Sequence, residues 1–329
     1  MKQTVIVGVD VSKHTLDICI RPSGTALGID NKVSGFKRFL KIIREQTEIS
    51  EVMVVMEHTG KYSSRWEQFL RRQDIKYCKV AALQIKRSIG MVRGKSDKID
   101  AARISEYGWL RRDDLTSEEW PGESSRSLQE WLSVRSKFVK DRSGYICRLE
   151  ELKSTSVNDG VSKELIKIQK SLIDVFNQKI AEADKKIRSI IKENTVLYHS
   201  CELLMSIKGI GWIVAAYMVS CTDNFKRFSN ARKFNCYAGL APFEHRSGSS
   251  IRGRARVSHL ANKEAKRLLT LAASSAIQHD QELKEFYKRR VAEGKRKMSC
   301  INMIRAKLVS RMFAVIKRQT PYQPLLIAA

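Results

Sequence analysis

Short, mostly apolar runs alternate with segments of helical periodicity over the first 115 residues. Thr4–Val9 and Glu51–Met56 predict buried strands, and the alternating segment Thr15–Ile20 predicts a hairpin partner for the first of them. Ile75–Val80 predicts a further strand. Apolar residues three and four apart predict the helices Gly35–Glu45, Tyr62–Arg72 and Asp97–Leu110. This order of elements predicts an α/β domain with a mixed sheet over residues 1–115.

Glycine is nearly absent between Ser124 and Asn194, where apolar residues repeat at spacings of three and four. Such a stripe is typical of a helical coiled coil. A turn at Asn158, Asp159 and Gly160 would fold the segment into an antiparallel hairpin, and a helical bundle packed on the first domain is the alternative. Residues 116–195 are therefore predicted to be a helical insertion without catalytic groups. The stripe consists of Leu165, Ile168, Leu172, Phe176, Ile180, Ala183, Ile187 and Ile190.

Residues 196–329 are predicted to form a mostly helical domain. Its first two apolar helical stretches are joined by Lys208, Gly209, Ile210 and Gly211. The two glycines allow a tight turn that presents backbone N–H groups and a helix N-terminus to a phosphate, as in a helix-hairpin-helix DNA-binding element. A plain interhelical turn is the alternative. After a polar, glycine-rich loop, EHRSGSSIRGRARVS, three more helices are predicted over Asn262–Gln278, Gln281–Val291 and Ile301–Lys317.

Positive charge dominates the chain, with 61 Lys and Arg against 35 acidic residues and a formal net charge of +26. Such an excess favours nucleic acid or an anionic membrane as partner. No apolar run approaches the roughly 20 residues that span a bilayer, and no signal peptide precedes the first strand. We therefore expect a cytoplasmic, nucleoid-associated protein without a membrane partner. Residues 245–320 hold 19 Lys and Arg against 5 acidic residues, which concentrates phosphate binding there.

Four acidic residues occupy positions where a metal site could form. Asp10 and Glu57 follow two apolar strands, while Asp97 and Asp100 share one face at the start of a helix. Adjacent strands would bring Asp10 beside Glu57, and a helix packed across their ends could direct the other two acids toward them. Clustered carboxylates need cations, and oxygen ligands favour Mg²⁺ or Mn²⁺, which stabilise the reacting oxygens of a phosphodiester. Alternatively, Asp97 is a helix N-cap and Asp100 a first-turn acid.

Cysteine chemistry is not indicated, because the seven cysteines are scattered and never form a C-x-x-C pair. This distribution argues against zinc sites and disulfides. Three histidines, His14, His58 and His245, lie close in sequence to the candidate groups, where hydrogen bonding or phosphate contact is the expected role.

Three motifs of the first domain, VGVDVSKHTLDICI, VVMEHTGKY and GKSDKIDAARISEY, resemble the RuvC-like domain, an RNase H fold, of the DEDD transposases of insertion sequences. These transposases are relatives of the Piv DNA invertase. The segment AGLAPFEHRSGSSIRGRARVS and the basic helical tail resemble the C-terminal transposase domain of the same family. The likeness runs from about residue 4 to Tyr322, includes the coiled coil, and has its motifs in the family's order.

The resemblance implies a transposase that recombines double-stranded DNA. It makes Asp10, Glu57, Asp97 and Asp100 the catalytic, metal-binding tetrad and Ser247 the catalytic serine. Family members are thought to be guided by a structured non-coding RNA of their own element, which pairs with target and donor DNA. They are also thought to act as oligomers in which the metal site of one subunit works with the serine of another. We therefore expect a guide RNA and a homo-oligomer, either a dimer or a tetramer.

Ser247 is suited to act as a nucleophile if carboxylate-bound metal ions deprotonate its hydroxyl. Its attack would leave a covalent phosphoserine, which conserves bond energy for strand exchange without ATP. Gly248 leaves room for the scissile phosphate, and Ser249 and Ser250 are alternative nucleophiles. The arginines that could neutralise the developing charge are Arg246, Arg252, Arg254 and Arg256.

One position departs from the family pattern. Where the family often has Gly-Asn after the serine loop, this chain has Ala261 and Asn262. A backbone conformation that requires positive φ would be strained at an alanine. The departure bears on the local turn rather than on the serine.

Two other functions fit the same residues. A metal-dependent, structure-specific endonuclease resembling a Holliday junction resolvase would use water as the nucleophile, and Ser247 would be incidental. A non-catalytic nucleic-acid scaffold would use only the basic tail. The placement of four acids in so basic a chain favours catalysis. We expect the metal part and the serine part of the site to meet only when DNA and subunits are assembled.

Overall fold

The structure is a computed structural model that describes residues 5–58, 60–88, 90, 94, 96–118, 122–155, 160–247 and 251–323. The chain divides into two compact units, Met1–Trp120 and Pro121–Ala329. No helix within the described ranges is long and apolar enough to cross a membrane.

A five-stranded mixed sheet lies at the centre of the first unit, and the predicted α/β class is confirmed. Its strands are β1 (Val5–Val11), β2 (Thr15–Arg21), β3 (Thr25–Asp30), β4 (Val52–Glu57) and β5 (Lys76–Val80). The order is β3-β2-β1-β4-β5, with antiparallel pairs on the β3 side of β1 and parallel pairs on the β5 side. The hydrophobic pattern does not predict β3, whose side chains are mostly exposed.

Helices cover both faces of this sheet. They are α1 (Val33–Gln46), α2 (Ser64–Arg72), α3 (Ala82–Ser88) and α4 (Asp97–Leu110). The odd-numbered residues of β1 share a core with α1 and α2, whereas Ile6 packs with Ile104 of α4. Because successive residues of a strand point to opposite faces, Gly8 and Asp10 lie on the same face as Ile6. The candidate carboxylate of β1 therefore faces α4.

Helix α4 lies close to β1 because Gly8 has no side chain. A Cβ atom at Gly8 would come within 2.6 Å of the Ala101 carbonyl oxygen. A Cβ atom at Gly108, near the end of the helix, would lie 2.7 Å from the Cγ2 atom of Ile6. Because Gly8 lies beside Ala101 and Ile6 lies beside Gly108, α4 runs antiparallel to β1. The first turn of the helix consequently lies at the end of the strand that carries Asp10.

We expect Gly8→Ala to destabilise the first unit by about 3 kcal/mol, because the added methyl group would displace helix backbone rather than a movable side chain. Guanidinium denaturation followed by circular dichroism would measure the change. Gly28→Ala is the matched control in the same sheet, since a Cβ atom there would meet only the Asp17 Oδ1 atom, at 3.8 Å. Equal stability of the two variants would contradict this account of the β1–α4 contact.

Two long helices, α5 (Glu123–Thr155) and α6 (Gly160–Lys192), begin the second unit. They run antiparallel, since Arg142 donates a 2.7 Å hydrogen bond to the side chain of Asn177 and Arg135 is paired with Asp184. Asn158 and Asp159 of the predicted turn lie outside the described residues, and Gly160 is the first residue of α6.

The apolar stripe of α6 differs between its two ends. Toward the C-terminus, Ala183 and Ile187 are fully buried. Toward the N-terminus, Leu165 and Ile168 are 41% and 48% exposed. Apolar side chains of α6 are therefore exposed to solvent near the connection between α5 and α6.

The remainder of the second unit is mostly helical, as predicted, around a single core that includes Leu204, Val219 and Phe234. In chain order its elements are α7 (Thr195–Met205), α8 (Trp212–Cys221), α9 (Ala231–Tyr237), β6 (Pro242–Ser247), β7 (Ile251–Val257), α10 (Lys263–His279), α11 (Gln281–Ala292) and α12 (Lys297–Arg318).

The segment expected to be a glycine-rich loop forms an antiparallel hairpin of β6 and β7. Its described side chains at Phe243, Glu244, Ala255 and Arg256 are exposed. The hairpin therefore lacks the apolar alternation that identifies a half-buried strand. Its polar, arginine-rich sequence is typical of a loop. Backbone pairing joins the two strands.

Candidate functional site

The two strand-borne acids lie at the carboxyl ends of adjacent parallel strands. Val9 of β1 pairs with Met56 of β4, so the next residues in register are Asp10 and Glu57. Helix α4 supplies the other two acids in its first turn. The Ser96 side chain caps this helix by accepting a 3.3 Å hydrogen bond from the Ile99 N–H. Asp97 is therefore the first helical residue rather than the N-cap.

The four acids lie close enough to interact electrostatically. Burial, together with the negative charges of Asp97, Asp100 and Glu57, raises the pKa of Asp10 to about 6, and burial has the largest effect. The contribution of the three other acids requires that their charges lie near Asp10. The group consists of oxygen donors and carries excess negative charge, so its chemistry fits a hard divalent cation such as Mg²⁺ or Mn²⁺.

Within the described residues, no three acidic, histidine or cysteine side chains are arranged closely enough to hold one metal ion. Asp100 instead has a cationic side chain as its partner. Arg103 lies 2.8 Å from the Asp100 Oδ1 atom and donates a second hydrogen bond, of 2.9 Å, to the Gly94 carbonyl oxygen. The guanidinium group neutralises Asp100 where a cation would otherwise do so. No sequence motif marks Arg103 as part of this group.

A fifth acid, Asp17, also belongs to this group. It is the cross-strand partner of Asp10 in the β1–β2 hairpin and contributes to the raised pKa of Asp10. Its own pKa is raised by burial and by Asp97, and Lys98 partly offsets these effects. The alternation of TLDICI predicts a strand but does not mark Asp17 as a site residue. The signal was available, because a tight hairpin pairs positions 10 and 17 on one face.

The raised pKa of Asp10 predicts how stability depends on pH. Its folded-state pKa lies above the unfolded value, so the folded protein without divalent ions is most stable below about pH 4 with respect to this group. That stability is lost as the pH rises through about 6. Because the site is partly solvated, we expect a loss of only about 1 kcal/mol.

Addition of Mg²⁺ should reverse this loss above pH 6 and have little effect at pH 5. Thermal unfolding at pH 5 and 7.5, each with MgCl₂ or EDTA, would measure both effects. Ca²⁺ and NaCl at equal ionic strength would separate site binding from general screening. An identical Mg²⁺ effect at both pH values would contradict the assignment.

Ser247 lies at the end of β6, paired in register with Ile251 of β7. The structure describes the backbone of Ser247 but not its side chain, and Gly248, Ser249 and Ser250 lie outside the described residues. Arg246 and Arg252 are paired in the preceding step of the ladder. The serine and the arginine-rich segment are thus placed on one two-stranded element by backbone pairing.

Hydrogen bonds close the base of this hairpin. The Asn262 N–H donates to the Tyr237 carbonyl oxygen at 2.9 Å, and the Asn262 side chain donates to the Tyr237 hydroxyl at 2.7 Å. The Tyr217 hydroxyl donates to the Asn262 Oδ1 atom at 3.0 Å. Ala261 is not among the described residues with positive φ, whereas Gly239 has a φ of 64° and packs against it. The expected strain at Ala261 is therefore absent.

The turn between α7 and α8 carries the other predicted phosphate contacts. Gly209 has a φ of 93°, and a Cβ atom there would lie 2.6 Å from the Ala276 Cβ of α10. Lys208 and Gly211 are exposed, and Gly211 is the N-cap of α8 without a side-chain cap. The start of α8 therefore has backbone N–H groups that a phosphate could reach.

Comparison with known proteins places matches in both units. Residues 7–154 match a DEDD family model described as a transposase, and residues 201–288 match the transposase IS116/IS110/IS902 family. The pilin gene-inverting protein of Moraxella bovis is 26% identical over 96% of this chain and 97% of its own length. The transposase for insertion sequence element IS1111A of Coxiella burnetii is 23% identical over 83% of each chain.

Proposed function

Since the chain belongs to the DEDD transposases of insertion sequences, a family of DNA recombining enzymes, we propose that it cleaves and exchanges DNA strands through a covalent phosphoserine at Ser247, assisted by divalent metal. The acids gathered around Asp10 are the observation that carries this proposal. They form the metal half of the site, in a RuvC-like domain over residues 1–115.

In this proposal Asp10, Glu57, Asp97 and Asp100 hold one or two Mg²⁺ or Mn²⁺ ions. When bound, such ions stabilise the attacking and leaving oxygens of a phosphodiester. Asp100 would bind a cation only if Arg103 released it, and Asp17 would add negative charge from the neighbouring strand. The carboxylates repel one another without a cation, so relief of this repulsion would contribute to the free energy of cation binding.

The nucleophile half is Ser247, in a transposase domain over residues 196–329. Its oxygen attacks the scissile phosphorus and loses its proton, a serine–phosphate ester forms, and the bond to one deoxyribose oxygen breaks. That oxygen leaves with a proton as a free hydroxyl group. Attack by another strand's hydroxyl on the ester restores Ser247, so the number of phosphodiester bonds is conserved. Arg246, Arg252, Arg254 and Arg256 neutralise the phosphate during both steps.

Target and donor double-stranded DNA and a structured guide RNA are the proposed partners. The basic surplus over residues 245–320 supports binding of a polyanion. We assign phosphate contacts to Lys208, Gly209 and Gly211, in a helix-hairpin-helix. Sequencing of RNA that copurifies with the protein tests the guide. A single structured RNA from the element's own noncoding end supports it, and bulk cellular RNA alone counts against it.

We propose a homo-oligomer, dimer or tetramer, because the family resemblance implies one. The helices of residues 116–195 are proposed to form a coiled coil that contributes to assembly. The exposed apolar residues Leu165 and Ile168 support this role, since apolar side chains in a row on an exposed helix favour association.

Detection of a protein–DNA adduct tests the function. Protein with its copurified RNA is incubated with labelled DNA that spans an end of the element, in MgCl₂ or in EDTA. We expect a labelled adduct that survives denaturation in SDS and forms only with the divalent ion. Cleavage without an adduct would favour the structure-specific endonuclease, and binding without cleavage would favour the scaffold.

A further inference from the structure

A cavity of about 420 Å³ lies in the second unit between α5, α8 and α10. Its volume falls within the range of small-molecule and cofactor sites. Apolar side chains, among them Leu132, Ile213 and Leu268, form part of its wall. Tyr217 and Tyr237 add aromatic surface. A flat, partly apolar group would therefore find apolar and aromatic contacts here.

Three arginines line the same cavity, and among the described residues only one of them lacks a carboxylate partner. Arg135 is paired with Asp184, and Arg267 is paired with Glu264, which also accepts a hydrogen bond from Ser136. Arg227 instead lies over the Tyr237 ring, 5.4 Å from its centroid, and is exposed. Its guanidinium group is available to bind an anion at the edge of the cavity.

A buried polar group in the cavity wall also lacks a partner. Ser220 is 2% exposed and lines the cavity. Its Oγ atom has no hydrogen-bond partner among the described residues. Gln129, which also lines the cavity, donates to the Ser220 carbonyl oxygen at 3.3 Å. A buried hydroxyl without a partner costs free energy, and Ser220 carries this group at the cavity wall.

We propose that this cavity receives one unpaired nucleotide of the bound nucleic acid, with the base inside and its phosphate at Arg227. A base offers a flat apolar surface with hydrogen-bonding edges, which matches aromatic walls combined with the Ser220 hydroxyl. Tyr237 and Asn262 line the cavity and also close the base of the β6–β7 hairpin, which carries Ser247. A nucleotide held there fixes the strand at a set distance from that hairpin.

The inference is tested by binding in EDTA, which makes the result independent of the proposed metal and serine chemistry. Protein stripped of nucleic acid is titrated against labelled duplexes with one bulged nucleotide and against fully paired duplexes of equal length. A DNA pair and an RNA pair form separate arms and identify the source of the nucleotide. We expect the wild type to bind the bulged duplex about tenfold more tightly in at least one arm.

Two variants should reduce this preference to less than about twofold. Arg227→Gln removes the free guanidinium group, and Ser133→Phe fills the cavity from an exposed position that does not belong to the core. Arg289→Gln is the matched control. It removes an exposed arginine that also lies over a ring, 5.8 Å from the Phe286 centroid, but outside the cavity.

The control should weaken binding to both duplexes equally and keep the tenfold preference, because it changes only the general charge. Absence of any preference in the wild type, in both arms, would overturn the inference. Retention of the preference by both cavity variants would overturn it as well.

Discussion

Asp10→Asn is expected to reduce DNA strand cleavage at least about a thousandfold, because loss of the central carboxylate removes metal-ion stabilisation worth several kcal/mol. The same substitution should raise the thermal stability of the protein in EDTA at pH 7.5. The neutral amide ends the repulsion with Asp97, Asp100 and Glu57 that raises the pKa of Asp10. Single-turnover cleavage and thermal unfolding measure the two effects.

The opposite signs make this test specific. A carboxylate that served only the fold would lower stability when replaced, and activity would fall with it. Asp74→Asn is the control, because Asp74 is an exposed acid of the same unit and asparagine tolerates its φ of 55°. It should leave both measurements unchanged. A destabilised Asp10→Asn variant, or one with near wild-type cleavage, would refute the metal assignment.

Ser247→Ala is expected to abolish the covalent adduct and to reduce strand exchange at least about a thousandfold, since the nucleophile itself is removed. Binding of DNA should remain within about twofold, because a hydroxyl contributes little to a charge-dominated interface. Gel-resolved adduct formation and anisotropy measure the two quantities.

Substitutions of the neighbouring serines, Ser249 and Ser250, are the controls for this prediction. Ser249→Ala and Ser250→Ala change the same segment by the same atom and should retain the adduct. Loss of the adduct in one of these variants, with retention in Ser247→Ala, would move the nucleophile to that serine. Cleavage by Ser247→Ala at the wild-type rate would indicate water as the nucleophile, as in the resolvase-like alternative.

The central strands β1 and β4 of the first unit could be predicted because they are buried on both faces. Val5–Val11 and Val52–Glu57 are mostly apolar, and such runs have few alternatives to a central strand. Strand β3 could not be predicted, because its edge position leaves most of its side chains exposed. For the same reason the sequence predicts a loop where the β6–β7 hairpin forms. Pattern-based prediction finds strands through burial, and these strands are not buried.

The candidate carboxylates could be named from strand ends and helical spacing, but their neighbours could not. Asp17 becomes part of the group only through the register of β1 with β2. Arg103 is three residues after Asp100 on a helix, a spacing that predicts an ion pair without saying that the pair lies beside a metal site. Cross-strand register and helix packing are long-range properties that a single sequence leaves open.

The helix pair α5 and α6 also constrains how related chains can differ in length. Each helix has 33 residues, which corresponds to roughly 50 Å. Insertion of one residue would rotate the tip by about 100° relative to the buried end. Seven residues added to both helices would keep the phase within about 20°. Insertions and deletions among relatives should therefore be matched on the two helices and occur in steps of about seven residues.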